Sequence, residues 1–106
     1  MTEGKLGAGR IRHTVVFTPV HAAESPEEAG FLGAAAELAA IPGVEAFEIL
    51  REMSPKNGYR FGISMEFDDE AAYRAYNEHP DHVRFVETRW VGEVADFLEI
   101  DYAPLV

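Results

Sequence analysis

Apolar residues recur in this chain with two different periods, and the switches between them set out the elements in order. From Ile11 to Thr18 the period is two. Ile11, His13, Val15 and Phe17 share one face and Arg12, Thr14 and Val16 the other, the pattern of a half-buried strand. Pro19 ends the pairing because it has no N–H to give a ladder. Helical spacing follows. Ser25, Pro26 and Glu28 occupy N-cap, first-turn and capping-box positions, and Phe31, Leu32, Ala35, Leu38 and Ala39 form an apolar stripe. Ile41-Pro42-Gly43 stops that helix. A second strand is expected from Val44 to about Met53 and a third from Tyr59 to Phe67. The turn-forming run Ser54-Pro55-Lys56-Asn57-Gly58 joins them as a hairpin.

Asp68 or Asp69 caps a further helix through Tyr76, with Ala72, Tyr73 and Tyr76 on its inner side. His79-Pro80 interrupts it, and another helix is expected from Pro80 to about Val91, with the stripe Val83, Val86 and Trp90 flanked by His82 and Phe85. A last strand, Ala95 to Tyr102, sets Phe97 against Leu98, Ile100 and Tyr102. The order βαββαβ predicts an α+β, ferredoxin-like protomer, a four-stranded antiparallel sheet with its helices on one face. The other face would carry Val16, Phe47 and Ile49 or their alternates, too apolar to leave wet. Pairing two such faces in a homodimer covers it.

With 106 residues there is room for one domain, expected over residues 11–106, and the glycine-rich residues 1–10 read as a flexible tail. The charge of −10 changes the list of partners: a phosphate backbone or an anionic membrane surface would be repelled, so neither nucleic acid nor membrane is expected. Without cysteine there are no disulfides, thiolate metal sites or cysteine nucleophiles. No apolar run approaches the ~18 residues of a membrane span, and the first ten residues lack the apolar stretch of a secretory signal, so a cytoplasmic location is the default.

Several short runs, in this order and spacing, carry a family resemblance over Ile11 to about Pro104. They are Ile11-Arg12-His13-Thr14-Val15-Val16-Phe17, Ile41-Pro42-Gly43-Val44, Phe47-Glu48 with Ser54-Pro55, and Glu66-Phe67. The most specific is Tyr76-Asn77-Glu78-His79-Pro80-Asp81-His82-Val83-Arg84-Phe85-Val86, and Asp101-Tyr102 closes the set. The chain resembles the stress-responsive dimeric α/β-barrel family. That resemblance implies a ferredoxin-like protomer dimerising through its sheet. Many members have no assigned activity; a related plant member is a cofactor-free polyketide cyclase, whose catalytic tyrosine and histidine match Tyr76 and His82 here. Thr18-Pro19-Val20 departs from the basic stretch more usual after the first strand.

The same residues carry a chemical argument of their own. His82 lies in the first turn of its helix, where the dipole disfavours imidazolium, and burial fixes the sign of its shift. Tyr76 precedes it by six residues across the break, so a histidine base and a phenol donor can meet over one cavity, and His13 reaches it from the first strand. A plainer reading packs Tyr76 in the core and ties His82 to backbone at the helix junction. His79 and Trp90 are further candidates for contacting a ligand, although a helix boundary and a core stripe account for them as well. His79 and His82 have metal-ligand spacing without a third ligand, so no metal and no cofactor is expected. Alanines 34, 35, 36, 39 and 40, if turned to the sheet, would leave space for a small molecule. The expected function is binding of a small apolar or aromatic molecule. The alternative is a cofactor-free enzyme, an aldol cyclase or a dimeric-barrel monooxygenase.

Overall fold

The computed structural model describes residues 4–105; the first three residues of the expected tail and Val106 lie outside the described residues. Four strands, β1 (Ile11–Pro19), β2 (Glu45–Arg51), β3 (Phe61–Phe67) and β4 (Val94–Tyr102), form one sheet in the order β2-β3-β1-β4. Every neighbouring pair is antiparallel. Helix α1 (Pro26–Ala36) runs into a 3₁₀ turn, Glu37–Ala40. Helices α2 (Glu70–Glu78) and α3 (Pro80–Phe85) follow β3, and α3 continues through a π turn, Val86–Trp90, into a short helical turn, Val91–Glu93. This is the expected α+β, ferredoxin-like arrangement.

Side-chain alternation places the core. His13, Val15 and Phe17 of β1 and Phe61, Ile63, Met65 and Phe67 of β3 are buried beneath the helices. They meet Phe31 and Ala35 of α1, Tyr76 of α2 and Phe85 of α3. Each such large apolar side chain contributes roughly 1.5–3 kcal/mol by leaving water. Phe17 holds the centre, with ring centroids 5.9 Å from Phe31, 5.8 Å from Phe61 and 5.1 Å from Trp90.

Four local expectations are corrected. Phe47 and Ile49 pack against the core, because the register between Glu45 and Glu48 is irregular and Ala46 has φ 50°. The apolar residues of the open face are therefore Val16, Leu50, Leu98, Ile100 and Tyr102. In α3 the inward positions are His82, Phe85 and Val86, while Val83 is exposed. Trp90, four residues after Val86 and at the end of the π turn, packs against the core as the stripe predicts. Of the alanines, only Ala35 is buried; Ala36 at the end of α1 and Ala39 and Ala40 in the 3₁₀ turn are exposed. Ser25 caps α1 as expected, accepting the Glu28 N–H at 3.1 Å, but Glu28 does not close the capping box. Its buried carboxylate accepts instead from the Glu24 N–H at 3.1 Å and from Arg60 at 2.7 Å.

Within residues 4–10, Arg10 pairs with Asp68 at 2.7 Å, Glu45 at 3.1 Å and Glu66 at 3.4 Å. No helix among the described residues is long and apolar enough to cross a membrane.

Candidate functional site

The break between α2 and α3 assembles the site. Pro80 has no N–H to prolong α2 and disfavours helical geometry in the residue before it, so His79 is extended at φ −64° and ψ 134°. His79 closes one helix and opens the next, its Nδ1 accepting the Asp81 N–H at 3.1 Å. The first turn of α3 is thereby folded back over the end of α2. His82 lands on Tyr76 with ring centroids 4.5 Å apart. Its Nδ1 donates at 3.1 Å to the carbonyl of Asn77, one of those that the end of a helix leaves unpaired. A carbonyl only accepts, so Nδ1 carries the hydrogen and the neutral ring keeps Nε2 as a lone pair.

A cavity of about 470 Å³ lies beside this pair, between the sheet and the α2–α3 region. Val15, Ile63, Met65, Leu38, Phe85, Val86 and Trp90 give it apolar walls, and its polar groups come from His13, Tyr76, Asn77, His82 and Glu99. Val91 and Phe97 line it while remaining exposed, so the mouth opens between β4 and the segment after α3. Tyr76 is only 2% exposed. Among the described residues no fully occluded side-chain oxygen lacks a partner, so its hydroxyl, which bonds no protein group, faces the open space of the cavity.

The electrostatics suit a neutral donor beside a neutral acceptor. Burial raises the Tyr76 phenol, helped by the nearby Tyr73 and the charge of Glu99, so it stays protonated and able to donate. Burial lowers His82; His13 adds to that, while the Asn77 bond and Glu99 act in the opposite sense. On the far side, His13 is 7% exposed and stands opposite Asp101 in the register of β1 and β4. Its Nδ1 donates to Asp101 at 2.6 Å, and Tyr73 donates its hydroxyl to the other carboxylate oxygen at 2.8 Å. Burial raises the Tyr73 phenol, followed by its bond to Asp101 and that residue's charge.

Of the sequence candidates, His13, Tyr76, His82 and Trp90 all line the cavity. His79 sits at the junction between the helices and serves as its cap. Tyr73, Asn77, Glu99 and Asp101 stand outside those candidates. The alternation of the last strand held a signal for two of them, because Glu99 and Asp101 share the face of Phe97, which looks toward the helices. Among the described residues no three His, Asp or Glu side chains gather as a metal site.

The model of the stress-responsive A/B barrel domain matches residues 11–104. The chain belongs to this family. A Dabb family protein with a ferredoxin-like fold from Mesorhizobium loti is 63% identical, over 92% of this chain and 99% of that one, with a TM-score of 0.90. A dimeric ferredoxin-like protein of unknown function from Thermobifida fusca is 24% identical over 93% and 94% of the two chains, TM-score 0.73. A cofactor-independent oxygenase from Streptomyces nogalater is 20% identical over 93% and 96%, TM-score 0.69. These last two share the fold with this stress-responsive domain. No match was found among curated proteins.

Proposed function

We propose that this stress-responsive barrel domain binds a small, uncharged apolar or aromatic molecule in the cavity beside Tyr76 and His82. One observation carries the reading: a phenol hydroxyl without a protein partner faces an apolar space of about 470 Å³. Sites for small molecules combine such walls with few polar groups. Tyr76 would donate to a carbonyl or hydroxyl oxygen of the ligand, His82 Nε2 would accept from a hydroxyl, and His13 and Trp90 would bound the space. His79 would contribute by holding the junction that aims His82. No cofactor enters this reading.

We also propose a homodimer through the open sheet face, where Val16, Leu50, Leu98, Ile100 and Tyr102 would otherwise meet water.

The test is a binding screen of phenols, aromatic ketones and poly-β-ketones against the parent, Tyr76→Phe and His82→Ala, followed by calorimetry and NMR. Binding by the parent that weakens in both variants is expected. A parent that binds none of them would overturn the reading. Turnover of a β-ketone, lost in both variants, would make the domain a cofactor-free enzyme instead of a binder.

A further inference from the structure

The two histidines of the cavity differ in what holds their second nitrogen. Both rings line the cavity and both have Nδ1 engaged, which leaves Nε2 as the nitrogen free for a ligand. The partner of His82 is a backbone carbonyl, which can accept a hydrogen bond but cannot carry the proton away. The partner of His13 is the carboxylate of Asp101, whose side chain is 41% exposed. Behind it lies a second recess of about 520 Å³, open to the outside and lined by Tyr73, Asn77 and Asp101. Asn77 lines both spaces, so one residue borders the cavity and the outer recess. Tyr73 completes the link, its hydroxyl 2.8 Å from Asp101 and 3.0 Å from His13 Nδ1.

We propose that His13, Asp101 and Tyr73 form a proton conduit through the wall of the cavity, by which a hydroxyl-bearing ligand exchanges its proton with water while it fills the mouth. This rests on the ligand reading above. In the outward direction the ligand O–H bond breaks and its electron pair stays on the ligand oxygen. The proton joins His13 Nε2, the Nδ1 proton passes to Asp101, and water in the outer recess takes it from the carboxylate. The return path restores each bond. His82 has no such exit, and a proton it accepts goes back to the cavity. Asp101 and Tyr73 are positioning residues: they touch His13 and not the ligand. Other ionisable groups around His13 are Tyr76, with ring centroids 6.3 Å away, and His82 and Glu99, which line the same cavity.

NMR of the full chain saturated with phenol reads the conduit directly, through exchange of the two Nδ1 protons with water. The His13 proton is expected to exchange at least about tenfold faster than that of His82. Asp101→Asn keeps an oxygen to hold the ring but cannot take the proton, and should slow His13 to the His82 rate. Tyr73→Phe should slow it less. Equal rates in the parent, or an Asp101→Asn protein exchanging as the parent does, would overturn the proposal. The comparison within the parent needs no variant and stands even where Asp101→Asn fails to fold. Phenol that leaves the Tyr76 and Trp90 signals unmoved would overturn the ligand reading alone, and the Asp101→Asn comparison in the free protein would then decide the conduit.

Discussion

His82 lies against Tyr76 with ring centroids 4.5 Å apart, and the carbonyl of Asn77 fixes which of its nitrogens is bare. A phenol donor and an imidazole acceptor thus share one wall of a space whose other walls are mostly apolar. Their geometry depends on a proline between them: Pro80 breaks the helix, and the break turns His82 back onto the ring.

Removing the Tyr76 hydroxyl leaves the ring packing in place and deletes one hydrogen bond to a ligand. Tyr76→Phe should weaken binding of phenol by about fivefold, the value of one net hydrogen bond of ~1 kcal/mol. Thermal unfolding of the free variant should match the parent, because no protein group loses a partner. Titration calorimetry and a melting curve check the two halves.

Binding should also depend on pH through His82. The ordinary histidine value is 6.5, and burial lowers His82 below it. The neutral ring is therefore favoured by folding. Phenol affinity should be flat above pH 6.5 and fall as pH drops through the lowered value, since imidazolium cannot accept from the ligand. The stability associated with this group follows the same direction: present above 6.5, lost on acidification. His82→Gln should remove that part of the slope in urea titrations run across this range.

Trp90 packs against the core at the end of the π turn, with ring centroids 5.1 Å from Phe17, 5.5 Å from Phe97 and 6.1 Å from Phe31. Trp90→Ala should cost about 3 kcal/mol, at the lower end for such a truncation because one side of the ring already faces the cavity. Urea denaturation gives the figure.

Glu28 and Arg60 tie α1 to β3. The carboxylate is 6% exposed and the guanidinium 26%, with 2.7 Å between them. Arg60 also donates to the carbonyls of Pro19 and His21, each at 2.7 Å. Glu28→Ala leaves that cation without a counter-charge and should destabilise by about 2 kcal/mol, less than for a fully buried pair because Arg60 meets some water. A double-mutant cycle with Arg60→Met isolates the pair.

If the open sheet face is the dimer surface, a charge in its middle should split it. Ile100→Lys sits opposite Thr14 on that face, away from the cavity. Light scattering should show the parent as two chains and the variant as one, with the phenol site retained in both. A parent of one chain's mass would end the dimer proposal.

The strands and helices were legible because each repeats a local rule: the period-two faces of β1 and β3, the Ser25 and Asp69 caps, the Pro80 break. So was the convergence of Tyr76 and His82, since both belong to one stretch of chain and the break between them is written in a proline. Errors gathered where local geometry departs from its ideal period. The irregular register near Ala46 decided which face of β2 turns to the core, and the break at His79-Pro80 set the phase of α3 so that His82 and Phe85, not Val83, point inward. For Asp101 the face was legible but the partner was not. Its pairing with His13 joins positions 88 residues apart, and only the strand order β3-β1-β4 sets the two ends side by side. Sequence determined which groups carry chemistry, because side-chain type and helical phase are local properties. Tertiary structure decided which of them share a wall and a proton, because a sheet's neighbours are fixed by packing over the whole chain.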